Sequence, residues 1–162
     1  MPLALVRIDD RLIHGQVVEG WIPYLAAELV LVVSDSASAD EIALTLMRLA
    51  LPESIELEVL PVAVAARHAC FKPSYPKRVL VIAPGPLEVL GLLERGAWFS
   101  RVNVGGLHYT AGRVQLGKAI FLSEEDKEAL CRISGRGVKL EGRALPGERE
   151  IDLLPAIGAQ AA

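Results

Sequence analysis

Leu29-Val30-Leu31-Val32-Val33, closed by Ser34-Asp35-Ser36, is an unbroken apolar run that stops at residues suited to a turn or a helix start. A strand exposed on one face alternates apolar with polar residues, whereas an unbroken run of this length reads as a strand buried on both faces. The same pattern marks residues 3–8, 55–60, 79–83, 101–104, 119–122 and 138–144 as strands, seven with 29–33. Between them, residues 16–26, 39–49, 62–67, 86–95 and 124–134 carry helical spacing. Ser123 followed by Glu124-Glu125-Asp126 supplies a cap and a first turn favoured by the helix dipole. Pro86 suits a first helical position, and Gly96 a helix end. Strand–helix–strand alternation implies right-handed crossovers. The expected fold is therefore α/β: a doubly wound, mainly parallel sheet of about seven strands with helices on both faces. The last of these strands is a candidate for antiparallel pairing at an edge.

Composition agrees with this fold. Apolar residues make up 52% of the 162 and aromatics only 5%, so the core must be built from Leu, Val, Ile and Ala. The length fits one domain, read as residues 1–155, with an Ala-rich tail at 156–162 expected to be loose. The net charge of −3 and the lack of a basic face argue against a nucleic-acid partner. The start of the chain is too short in apolar residues for a signal peptide, and no run approaches the ~20 that a membrane helix needs. Cys70 and Cys131 have no metal-type spacing, and His68-Ala69-Cys70 offers one pair without further ligands. A cytoplasmic protein with reduced cysteines and no metal is expected.

In open α/β sheets, ligand chemistry collects at the carboxyl ends of strands. The loop after the first strand holds Arg7, Asp9, Asp10, Arg11, His14, Gly15 and Gln16, a dense set of charges between apolar segments. A phosphate on the His14 imidazole would lie near the amides of the helix that follows. Arg11 and Arg7 offer guanidinium forks that match phosphate oxygens. Asp9 or Asp10 can fix the ring tautomer and leave the opposite nitrogen's lone pair free. A free imidazole titrates near ~6.5 and is mostly neutral in the cytosol. Such clusters also occur as solvated turns, and residue types alone do not select phosphoryl transfer over an acid–base role.

The run from Arg7 to Val17 resembles the IIB component of mannose/fructose/sorbose-family sugar phosphotransferase systems. The likeness continues at Trp21, Ser34-Asp35, Thr45-Leu46-Met47 with Pro52, Asn103-Val104-Gly105-Gly106-Leu107-His108-Tyr109, Gly112, Gln115 and Lys118-Ala119. The resemblance implies a phosphotransferase without metal or organic cofactor. Its loop histidine, here His14, takes a phosphoryl group on Nδ1 from a histidine of a IIA partner. The group then passes to a sugar held by membrane IIC and IID components, which places the domain at a membrane permease. Arg11 and Arg7 match the family's loop arginines. The resemblance makes Gly105, Gly106, His108 and Tyr109 a second wall of the site or a contact surface for a IIA domain or a second copy. Asp35 and Ser36 sit at the same expected edge, as pocket residues or as helix caps. The turn Pro84-Gly85-Pro86 departs from a more polar turn in relatives and lacks a hydroxyl. A regulatory phosphoprotein of the same family, sensed by a partner without sugar transport, would show the same loop.

Overall fold

The computed structural model describes residues 3–108, 114–117 and 120–161. Strands β1 (Leu3–Asp9), β2 (Leu29–Val33), β3 (Glu56–Leu60), β4 (Val79–Ala83), β5 (Arg101–Gly106), β8 (Lys139–Gly142) and β9 (Ile151–Asp152) form one sheet in the order β3-β2-β4-β1-β5-β8-β9. All its pairings are parallel except β8 with β9. The fold is thus the expected α/β one, but two strands change places. The 119–122 run becomes β7 (Ile120–Leu122), paired in a separate antiparallel hairpin with β6 (Val114–Gly117). The strand expected at an antiparallel edge, β8, is parallel to β5, and the antiparallel edge is the two-residue β9.

The helices are α1 (Ile22–Leu25), α2 (Asp35–Ser38), α3 (Glu41–Ala50), α4 (Val62–Ala65), α5 (Pro86–Glu94), α6 (Glu124–Gly135) and α7 (Leu154–Ala161). The helix expected over 16–26 begins as a π-helical stretch, Gln16–Trp21, and ends where Ala26 turns left-handed. Such stretches recur at functional sites. Ser123 and Asp126 form a reciprocal capping box on α6, and Gly96 takes a positive φ after α5, both as their chemistry suggests. The tail expected to be loose instead forms α7, because Ile157 has a core position to fill.

Side-chain alternation along the strands divides the interior in two. Leu29, Leu31, Val33, Val79, Val81 and Ala83 pack with α5 and α6, while Val30, Val32, Leu80 and Ile82 pack with Val17, Trp21, Ile22 and Met47. Right-handed crossovers explain the division: β1→β2→β3 runs one way across the sheet and β3→β4→β5→β8 runs back. Outgoing and returning helices therefore lie on opposite faces. The outgoing helices cover only the β3-to-β1 half of their face. Beyond β1 that face is closed by the segment after β8, where Leu145 lies near enough to Gly20 that a Cβ there would be 3.3 Å away. Polar side chains of β1, β5 and β8 are enclosed beneath this cover.

Candidate functional site

After β1 the chain leaves over one face, and after the adjacent β5 over the other, so a crevice opens at their carboxyl ends. The His14 loop occupies that crevice. Its course depends on Leu12, which adopts φ 57°, a conformation that costs a branched residue about 1–2 kcal/mol. The turn is closed by Leu12 N–H donating to the Asp9 carbonyl at 3.0 Å. The backbone N–H groups of Val17 and Val18 donate to the His14 carbonyl, so His14 stands at the head of the first turn.

Asp9 organises the site. It is fully buried, and its Oδ2 accepts from Arg7 Nη2 at 3.0 Å and from His14 Nε2 at 2.8 Å. Its Oδ1 accepts the Arg11 amide at 3.1 Å. Burial pushes the Asp9 carboxyl up, but the His14 hydrogen bond, the Arg7 charge and the Arg11 amide together outweigh it and hold it below the usual carboxylate range. An ionised carboxylate only accepts, so in the neutral ring the proton lies on Nε2. Among the described residues Nδ1 has no hydrogen-bond partner. The side chain is 15% exposed, so this bare nitrogen can be reached from solvent.

Arg7 does not lie on the surface where a phosphate contact would require it. It is 0% exposed; Nη1 donates to Asn103 Oδ1 and the Arg143 carbonyl, and Nη2 to Asp9 and the Ala144 carbonyl. Of its five N–H groups only the buried Nε is without a partner. Burial pulls the guanidinium down from its ordinary value and Asp9 opposes this; a guanidinium is not deprotonated in proteins, so Arg7 is a cation. Arg7 therefore holds Asp9 and is closed to an incoming phosphate. Arg11 is the accessible cation: its side chain is 43% exposed, Nη2 donates to Gln16 Oε1 at 3.1 Å, and Nε lies 3.9 Å from Asp9 Oδ1.

Behind Arg7 lies a polar layer that only the resemblance touched, at Trp21 and Asn103. Asn103 Nδ2 donates to Glu141 Oε1 at 2.9 Å, and Arg143 grips both oxygens of Glu141. The Trp21 ring has Arg7 at 5.0 Å and Arg143 at 5.2 Å from its centroid, and its Nε1 donates to the Ala144 carbonyl. Arg7 and Asp9, Asn103, and Glu141 occupy the same face of three neighbouring strands, with Arg7 opposite Asn103 and Asn103 opposite Glu141.

The double glycine is part of this chamber. Gly105 and Gly106 are buried, and a Cβ on Gly105 would lie 2.0 Å from the Arg7 guanidinium carbon. One on Gly106 would be 3.3 Å from Asp9. These glycines make room for the charged pair and present no contact surface. Gly15 is exposed, with an ordinary helical φ of −50° and open space around it. Asp10 binds His108, accepting its amide at 2.7 Å and meeting Nδ1 at 2.5 Å. Tyr109 lies outside the described residues.

Asp35 and Ser36 are not brought to His14. Asp35 Oδ1 accepts the Val62 amide at the start of α4, Ser34 caps α2, and Ser36 lies 3.3 Å from the Ser34 hydroxyl. They line a separate cleft of about 370 Å³ with Glu88 and Arg95. Gly85 gives α5 no side-chain cap, so the turn after β4 brings no hydroxyl. His68 is occupied at both nitrogens: Nδ1 accepts the Cys70 amide and Nε2 meets Glu58 at 2.7 Å. Among the described residues no group of three or more His, Cys, Asp or Glu is placed to hold a metal.

Residues 3–162 match the family described as "PTS system sorbose subfamily IIB component". The chain is 35% identical over 155 residues to the PTS system fructose-specific EIIB component of Bacillus subtilis, covering 95% of this chain and 94% of that one. It is 34% identical over 158 residues to the mannose-specific EIIAB component of Escherichia coli K12, covering 97% of this chain but 49% of that longer protein. The crystal structure of the IIBSor domain of the Klebsiella pneumoniae sorbose permease superposes with a TM-score of 0.87 at 29% identity, covering 98% of each chain.

Proposed function

From the premise that the chain belongs to the sorbose-subfamily IIB components of the sugar phosphotransferase system, we propose that His14 Nδ1 is the atom that carries the phosphoryl group. The observation that carries this reading is the 2.8 Å contact between His14 Nε2 and buried Asp9, which leaves Nδ1 bare at the mouth of the crevice. Attack by the Nδ1 lone pair forms the Nδ1–P bond as the donor's N–P bond breaks. Charge then develops on the ring, and Asp9, already ionised, faces it through Nε2–H. Arg11 meets the phosphoryl oxygens from the exposed side, with Gln16 holding its guanidinium. Positioning and electrostatic stabilisation of this kind dominate phosphoryl transfer. In the second transfer the Nδ1–P bond breaks as a sugar hydroxyl attacks, and the hydroxyl proton goes to a base of the acceptor site.

The donor is a phosphohistidine of a IIA partner and the acceptor a sugar bound by membrane IIC and IID components. The mannose-specific relative combines A and B components in one chain, which supports the first pairing. The protein accordingly acts in the cytoplasm beside a permease, without a metal or organic cofactor. The test is incubation with a phosphorylated IIA protein, followed by site mapping under alkaline conditions that preserve phosphohistidine. Phosphate is expected on His14; phosphate on His68 or His108, with His14 intact, would overturn the proposal.

A further inference from the structure

Two ion pairs lie side by side in the chamber, the first fully buried and the second buried at its carboxylate. Arg7 pairs with Asp9 at 3.0 Å, and Arg143 pairs with Glu141 at 3.1 Å. Both carboxylates are fully buried, and between the pairs stands one neutral side chain, Asn103. Its Oδ1 accepts from Arg7 at 2.5 Å while its Nδ2 donates to Glu141 at 2.9 Å. The Asn103 amide accepts on one side and donates on the other without adding charge. A carboxylate here would take part of the Arg7 charge, and a small apolar residue would open the way from Arg7 to Glu141.

We propose that Asn103, backed by Glu141, is a positioning residue that insulates one ion pair from the other and so reserves Arg7 for Asp9. This inference rests on the reading of His14 as the phosphoacceptor. Asp9 meets Arg7 within the chamber and His14 at its mouth through Oδ2, while its Oδ1 accepts the Arg11 amide and lies 3.9 Å from the Arg11 guanidinium. With Arg7 held in place, the Asp9 charge is partly offset while its Oδ2 faces Nε2, and Nδ1 stays bare. The guanidinium has no alternative position, being fixed by the Arg143 and Ala144 carbonyls and packed against Gly105. Moving negative charge from position 141 to 103 divides Arg7 between two carboxylates. Asp9 then attracts a proton to His14 more strongly, and the neutral nucleophile becomes scarce at neutral pH.

The test is the charge-conserving swap N103D/E141Q, with Asn103→Ala as a second variant, each checked for folding by circular dichroism. Nitrogen-15 spectra of the His14 ring and the pH profile of phosphorylation by phosphorylated IIA are compared with wild type. In wild type the neutral ring should carry its proton on Nε2. In the swap the midpoint of both profiles should move up by about one pH unit, with transfer slowed up to about tenfold on the acid side of the midpoint and recovering in alkali. Asn103→Ala should move it the same way by less. A folded swap or Asn103→Ala with the wild-type midpoint would overturn the inference. So would a wild-type neutral ring protonated on Nδ1, whether or not either variant folds. If wild type accepts no phosphoryl group, the proposed function fails, while the ring midpoints still decide the role of Asn103.

Discussion

Replacing Gly105 by Ala should be among the most damaging single-methyl additions to this protein. The new Cβ would lie 2.0 Å from Arg7 Cζ and 2.1–2.2 Å from its two Nη atoms. No contact of that length survives, so the guanidinium or strand β5 must move. The guanidinium is fully buried and makes four hydrogen bonds, two of them to carbonyls of the cover over β8. Overpacking alone costs about 1–3 kcal/mol, and each hydrogen bond to a charged group is worth about 1.5–3 kcal/mol. Relaxation will save part of this, leaving a loss of about 3–5 kcal/mol. In a domain of this size that lowers Tm by roughly 10 °C. Urea and thermal unfolding followed by circular dichroism measure it, with Gly15→Ala as the comparison. At Gly15 an added methyl would have nothing within 4 Å and the φ is ordinary, so Ala there should change stability by no more than about 1 kcal/mol. A Gly105→Ala protein within ~0.5 kcal/mol of wild type would refute the packed-guanidinium account.

Asp9 sits below the ordinary carboxylate value when folded, so it contributes stability above the unfolded value of about 4, lost as pH falls through the folded value. Asp9→Asn should flatten this acid limb below about pH 4 in urea titrations. At neutral pH it should cost about 3–5 kcal/mol by leaving buried Arg7 without its anion. Arg11→Ala should slow phosphorylation about ten- to a hundredfold with little change in Tm, and Arg11→Lys should recover only part of the rate, because it keeps the charge and loses the fork. Burial pushes the Cys70 thiol up to about 12, so a thiol reagent should leave it unmodified in the native protein and label it on unfolding.

The interior strands were legible because β2 and β4 are buried on both faces and each writes five apolar residues in a row, rich in β-branched Val and Ile. The short pieces were not. The two-residue β9 has no periodicity to show, and α2 depends on a Ser34 cap that reads equally well as a turn. The loop histidine stood out by chemistry and the resemblance gave it a role, whereas its carboxylate partner was narrowed only to Asp9 or Asp10, and the fold puts Asp9 there and Asp10 on His108. Arg7 was read as a loop cation because charge was assigned to the surface, although it lies within β1 with Asp9 on the same face. Recognising the chamber required knowing that β1, β5 and β8 are neighbours. That is set by the crossover directions over more than a hundred residues, beyond the reach of any local pattern.

The most direct test of the account is which ring nitrogen of His14 bears phosphorus. Phosphorylated protein labelled with nitrogen-15 histidine should show the phosphorus coupling on Nδ1, with Nε2 still protonated against Asp9. Coupling on Nε2 would mean that the Asp9 contact breaks during transfer, and the central claim would be wrong.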